Sequence, residues 1–417
     1  MPDKPAPSVP GLYVHVPFCK TKCPYCDFYS VTTLDLVDRF VEDLEHEMRW
    51  RLADAWMDGF DSLYVGGGTP SILGPERLQR VLAMLSRPLI TSPRAKETAA
   101  PQSRPAGRTP GEAVAEKAGR TTKKPAAEGA SSAPDVEVTV EMNPADVTAD
   151  LMAVMRDAGV TRVSLGVQSF DDQELRLLGR RHDRAGAIAA IEEIRKAGFA
   201  DLGLDIITDL PGSNLETLRR SLDQALAFRP EHLSCYALTI AEGTVFGQRQ
   251  QAGTLVLPDP DARADQYLET ARVLEEAGYD HYEVSNYARK PRLRSRHNQK
   301  YWNRTPYLGL GPAAHSFDGT TRWWNLADVH RYHERLSSGH LPVDEQESID
   351  ADMARMEQLA LGMRTAAGIS ETLVQRPGLS EVAADLVAQG LLERHDGRLC
   401  PTRRGFLVAD GIAALLV

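Results

Sequence analysis

The sequence predicts an α/β fold: an incomplete (β/α)6 barrel followed by a small C-terminal winged-helix-like α+β domain. Three observations predict it. Short apolar runs alternate with amphipathic stretches from residue 11 to about 240, the pattern of βαβ units and a parallel sheet. Six such units fit before the pattern ends, too few for a closed eight-fold barrel. From about residue 350 the chain changes to helix, hairpin and helix.

Strands are expected at 12–16, 62–65, 136–141, 162–167, 203–207 and 232–238, with helices between them at 34–56, 75–85, 184–197 and 215–228. The helix at 184 repeats apolar residues at Ala187, Ile188, Ile191 and Ile194, a period that buries one face. Residues 91–134 break the pattern. They hold no Phe, Trp, Tyr, Leu or Ile and are dense in Ala, Pro, Gly, Ser and Lys. Such a stretch buries too little apolar area to offset its ordering entropy, so it is expected to be a disordered insertion. Its eight Lys and Arg against four Glu leave open a tethering arm for an acidic partner, beside the plainer reading of a tolerated surface insertion.

The expected domains are a barrel built from 1–90 and 135–240, the insertion 91–134, a barrel extension at 241–349, and the C-terminal domain at 350–417. In the extension, 259–277 predicts a helix of core residues. In the last domain, 353–364 and 379–389 predict helices. A hairpin follows, 391–395 and 398–402 around Asp396-Gly397, and 406–416 closes with a helix. DNA binding is one use of such a domain. The sparse basic residues on 379–389 favour packing or a partner role.

Bulk composition narrows the function. Hydrophobic content of 42% and charged content of 25% are those of an ordinary globular protein. A net charge of -10 argues against a nucleic-acid partner. No apolar run approaches the roughly 18 residues of a membrane span. The polar, proline-rich start lacks a secretory signal core, so a cytoplasmic location is expected. Three of the five cysteines fall within eight positions, which reads as a metal or redox site and not a disulfide framework.

That site is Cys19-Lys-Thr-Lys-Cys23-Pro-Tyr-Cys26, directly after the first strand. Three thiolates on one loop can hold three corners of a [4Fe–4S] cluster, whereas complete ligation takes four. One iron is then left open to chelate the amino and carboxylate groups of S-adenosylmethionine (SAM). A zinc loop is the alternative, but no fourth ligand lies at zinc spacing. Cys235 and Cys400 have no partner pattern and read as small buried hydrophobes.

The spacing is that of the radical SAM superfamily. The wider sequence resembles the family of oxygen-independent coproporphyrinogen III oxidases and the heme chaperone HemW. The matching pieces are Tyr13-Val-His-Val-Pro-Phe-Cys19, Gly66-Gly-Gly-Thr-Pro70, Glu141-Met-Asn-Pro144, Ser164-Leu-Gly-Val-Gln-Ser-Phe170 and Leu178-Gly-Arg-Arg-His182. Asp205, Glu283-Val-Ser-Asn-Tyr287, His297-Asn-Gln-Lys-Tyr-Trp302 and Gly309-Leu-Gly-Pro-Ala-Ala-His-Ser316 continue the match. It departs at Ile207-Thr-Asp-Leu-Pro-Gly-Ser213, which puts that loop's contacts in doubt.

The resemblance implies a ligand set. Gly66, Gly67 and Gly68 follow a strand where missing side chains admit close backbone approach, and they would face the methionine amino group, with Thr69 a further cofactor-binding residue beside Gly67 and Gly68. Glu141 and Asp205 sit near strand ends and would take ammonium or ribose hydroxyls. Arg180 would fork onto the carboxylate, and Gln168 would hydrogen-bond the ligand. Tyr13 and Tyr25 would flank the cluster, Tyr25 stacking on adenine or simply packing. His297 heads the string that resembles the heme-associated motif of HemW. Its alternative is a structural histidine beside a packed Tyr–Trp pair, and His182 and His315 read as structural.

Three functions compete. One is a heme chaperone that passes heme to respiratory proteins, with a reductant such as flavodoxin or ferredoxin serving the cluster. The second is an oxidase that decarboxylates coproporphyrinogen III to protoporphyrinogen IX. The third, a radical SAM enzyme acting on RNA, has only the winged-helix-like tail behind it. The oxidases carry a fourth cysteine two positions after the third ligand, where this chain has Phe28, and a longer leader than the 18 residues before Cys19. Both features, with the His297–Trp302 string, favour the chaperone.

Overall fold

The computed structural model describes residues 9–52, 59–86, 88–89 and 136–417. The expected insertion and the last residues of the first helix fall outside the described residues. Six parallel strands form as the sequence predicts: β1 (Gly11–Val16), β2 (Ser62–Gly67), β3 (Glu137–Met142), β4 (Arg162–Gln168), β5 (Asp201–Thr208) and β6 (His232–Ala237). Each pairs with the next in parallel register, from Leu12 against Leu63 to Thr208 against Ala237.

The helices between them cap as their sequences dictate. In Arg184–Lys196, Asp183 accepts from the Gly186 N–H, and Ala187, Ala190, Ile191 and Ile194 are buried, with Ile188 only half-buried. Leu215–Ala227 opens on a capping box of Asn214 and Thr217, two orphan donors answered at once. The apolar faces of these helices and of the strands form one core.

The region after β6 extends both edges of the same sheet. On one side β7 (Asp280–Glu283) and β8 (Asn286–Ala288) pair onto β6. On the other, β9 (Tyr307–Leu310) lies parallel to β1, and β10 (His315–Phe317), β11 (Thr321–Asn325) and β12 (Val343–Ser348) follow antiparallel. The result among the described residues is one sheet of twelve strands with β1 to β6 at its middle. The barrel is open, as expected.

The C-terminal part has its own core and its own small sheet, β13 (Ile369–Ser370), β14 (Leu392–His395) and β15 (Arg398–Pro401). The hairpin and its flanking helices Ala351–Gly362 and Leu379–Ala388 match expectation. The closing helix does not form as one piece. It divides into Arg403–Leu407 and Ala409–Leu416 at Val408, whose backbone leaves helical geometry at φ -121°. Gly405 sits so close to the Leu391 carbonyl that a Cβ would come to 2.1 Å, so the first turn is pinned to the hairpin. No described helix is long and apolar enough to cross a membrane.

Candidate cluster and nucleoside cleft

The cysteine loop is fastened at its base. Phe18 bridges Val31, with Cys19 N–H donating to the Val31 carbonyl (2.9 Å) and Val31 N–H to that of Pro17 (2.8 Å). Within the loop the Cys26 N–H turns back to the Cys23 carbonyl (3.1 Å). Pro24 accepts from the Phe246 N–H (2.9 Å), and the Tyr25 ring packs on Phe246. Lys20 reaches Asp146 at 2.8 Å, and Arg181 and Ser71 bond the same carboxylate. Burial opposes the ionisation of Asp146, but Arg181 and Lys20 outweigh it and hold its carboxyl below the usual range.

The loop closes over the C-terminal ends of the barrel strands, where such folds gather ligand contacts. The three cysteines line one cleft with Tyr25, Gly67, Gly68, Thr69, Glu141, Gln168, Arg180 and Asp205. Among the described residues no three His, Cys, Asp or Glu side chains converge tightly enough to hold a single ion. Three thiols spread along a loop suit a cubane, whose cysteine ligands bind separate iron corners and so stand further apart than the ligands of one ion.

The glycines are needed for space. A Cβ at Gly66 would meet the Glu141 carboxylate at 2.8 Å. Gly67 has φ +101°, and a Cβ there would come within 2.5 Å of the His15 ring, so a side chain fails on both backbone and contact grounds. Thr69 places its hydroxyl 3.5 Å from the Cys19 sulfur.

Deep in the cleft stand two carboxylates. Glu141 accepts from the Tyr64 hydroxyl (2.7 Å) and the Gly67 N–H (3.2 Å). Asp205 accepts from Ser164 at 3.2 Å and from Ser234. Burial lifts Glu141 to about 7, the Tyr64 hydrogen bond opposing and the Asp205 charge adding to the rise. Burial likewise lifts Asp205 to about 6 against the serine hydrogen bonds. Neither has a salt bridge among the described residues, so both are short of a cation. Near the cysteines, Arg180 donates to the Gly166 carbonyl (2.7 Å) and points at the Cys23 sulfur (3.6 Å), while its buried Nε has no partner. Gln168 ends β4 at φ +70°, a strained value for this residue, and accepts from the Tyr236 hydroxyl at 2.9 Å.

Acid at one end and guanidinium at the other match a zwitterionic ligand with ribose hydroxyls, which is what SAM is. The residues therefore fit both groups: Cys19, Cys23 and Cys26 for the cluster, the cleft for the nucleoside.

Two expected site residues lie elsewhere. Tyr13 points into the barrel below the cleft, its hydroxyl 3.0 Å from His15 Nδ1. His297 is 0% exposed at the opposite, N-terminal end of the barrel. Its Nδ1 lies 3.1 Å from the Ser62 hydroxyl and its Nε2 2.9 Å from that of Tyr301, and burial drops it to about 3. Both nitrogens are engaged, so the imidazole is a plug in the barrel floor and is not presented to a ligand. Sequence reasoning missed Tyr64, Asp146 and Tyr236. Asp146 follows the Glu141-Met-Asn-Pro string closely enough to have been suspected; the tyrosines gave no signal.

Residues 13–225 match the model of the radical SAM superfamily, and 349–408 that of the HemN C-terminal domain. Over 99% of its length the chain is 36% identical to the heme chaperone HemW of Mycobacterium tuberculosis, covering 96% of that protein. The chain belongs to the HemW family of radical SAM proteins. The HemW of Bacillus subtilis is 30% identical over 96% of the chain and 97% of its own length. The structure of coproporphyrinogen III oxidase (HemN) from Escherichia coli superposes with a TM-score of 0.75 over 99% of this chain and 91% of that one, at 20% identity. That likeness shows the shared fold.

Proposed function

We propose that the protein is a heme chaperone: it binds heme and delivers it to respiratory proteins, on a core that holds a [4Fe–4S] cluster and SAM. The observation that carries this is the end-to-end similarity to proteins named heme chaperone HemW, against a likeness to the oxidase at the level of fold. Phe28 supports it. At the place where the oxidases carry a fourth cysteine, this side chain is 69% exposed at the cleft mouth and can ligate nothing.

In this reading Cys19, Cys23 and Cys26 hold the cluster. Glu141 and Asp205 take the ammonium and ribose hydroxyls, Arg180 the carboxylate, and Tyr25 the adenine face. Gln168, oriented by Tyr236, adds a hydrogen bond. The cluster supplies one electron beside a sulfonium, drawn from a flavodoxin or ferredoxin in the cytoplasm. Asp146 holds the loop shut by tying Lys20 to Arg181 across the cleft rim.

The test is transfer. Heme-loaded protein is mixed with membranes carrying heme-depleted respiratory proteins, and absorbance follows the heme. Movement to the membranes faster than to an unrelated heme scavenger supports delivery; equal rates to both refute it.

A further inference from the structure

With both His297 nitrogens engaged in the barrel floor, an imidazole for heme iron would be one whose ring nitrogens are free. The sheet register points to one. Along β1, Leu12, Val14 and Val16 are buried in the core beneath the helices, while Tyr13 and His15 face the barrel interior. Gly309 pairs with Tyr13 and Tyr307 with Gly11, so both share the interior face. Phe317 pairs with Tyr307, which places His315, two residues before it, on that face too. His315 in turn pairs with Trp324. The interior surface of the barrel thus continues onto β10 and β11.

His315 differs from its neighbours there. Phe317 is covered by the Arg304 and Arg322 guanidinium groups, 5.2 and 5.5 Å from its ring centre. His315 is exposed, and its ring stacks on Trp324 at 5.5 Å and 27°. Neither ring nitrogen has a hydrogen-bond partner among the described residues. The other exposed imidazoles, His46, His330, His340 and His395, lie on outer helices, a surface loop and the C-terminal hairpin. The place is next to the cleft. His15 lies between the two: its ring fills the space above Gly67 on the cleft side, and its strand pairs with β9, which pairs with β10.

We propose that His315 is the axial imidazole for an iron porphyrin, held in orientation by Trp324, on the interior face beside the cluster cleft. This rests on the heme-chaperone reading. An axial imidazole stands upright on the macrocycle, so an indole stacked on it fixes the ring plane and offers its edge to the porphyrin.

Ferric heme and iron-free protoporphyrin IX are titrated separately into the reconstituted full chain and its variants. His315→Ala should weaken heme at least about tenfold, worth 1.4 kcal/mol, and leave protoporphyrin IX binding near wild type. Added imidazole should return the Soret band of His315→Ala to its wild-type position. His315→Tyr should keep heme but move the band, since a phenolate ligates differently. His297→Ala should leave the band in place. Wild-type affinity and band position in both His315 variants would overturn the assignment. A wild-type chain that takes up no heme would instead defeat the chaperone reading beneath it.

Discussion

The two ends of the barrel use the same kinds of residue to opposite effect. At the floor every charge meets its opposite or the backbone. Glu137 accepts from the Arg296 and His297 N–H groups at 3.0 Å each, Arg162 bonds the Leu293 carbonyl (2.9 Å) and faces Asp201, and Lys300 spans Asp61 and the Val9 carbonyl at 2.6 Å. At the cleft end Glu141 and Asp205 have no salt bridge among the described residues, and the buried Arg180 Nε has no hydrogen-bond partner there. Buried polar groups that are paired hold a fold together; those left short inside an open cleft are the ones a ligand can satisfy. By that measure His297 belongs to the fold and Glu141 to the site.

Breaking the rim should cost ligand without cost to the fold. Cys19→Ala, Cys23→Ala and Cys26→Ala should each abolish the cluster, because three ligands are the minimum that holds it. Iron and sulfide analysis after anaerobic reconstitution reads the loss. Unchanged iron in all three would remove the cluster from this loop.

Breaking the floor should do the reverse. Glu137→Ala leaves the Arg296 and His297 N–H groups without their acceptor and removes one of the two carboxylates beside Arg162, a loss of about 1–3 kcal/mol. His297→Ala should cost about 1–3 kcal/mol. Denaturant melts measure both, and cluster content per folded molecule should stay at the wild-type level. A His297→Ala protein of undiminished stability would show that the plug is not structural.

The Glu141 carboxyl sharpens the contrast through pH. Its folded value of about 7 lies above the ordinary 4.5 of a glutamate, so between those limits the native state binds more protons than the unfolded chain. Stability from this group is full below pH 4.5 and is lost as pH rises to 7. Glu141→Gln should therefore gain about 1–3 kcal/mol over wild type at pH 8 in ligand-free protein, and nothing at pH 4.5. It should also weaken SAM binding, since an amino or ribose hydroxyl donor loses its anionic acceptor. Equal stabilities at pH 8 would place that carboxylate in water. The smallest effect is expected on replacing residues 91–134 with a short linker, because loop-closure entropy changes by only about 0.6 kcal/mol per doubling of length. A thermal melt that loses cooperativity would show otherwise.

Much of this was legible in the sequence because it is local. β1 to β6 are short runs rich in Val, Leu and Ile, and their ends came out within two residues. The three cysteines and the glycines of 66–68 declare their chemistry by spacing. The rest depends on what the chain meets after folding. β10 and β12 are short or polar, and they became strands by pairing onto β9 and β11. Tyr64 and Tyr236 matter through carboxylate and amide groups on other strands. The string at His297 was visible, but the barrel end it would cap was not, and that decided its role. The sequence also gave no sign that Val408 would divide the last helix.

The most direct measurement is made on one anaerobically reconstituted sample of the wild-type chain, supplied with SAM and reductant, then titrated with heme and assayed with coproporphyrinogen III. The chaperone account predicts saturable heme binding and no protoporphyrinogen IX. Sustained production of protoporphyrinogen IX would contradict it and make the protein an oxidase.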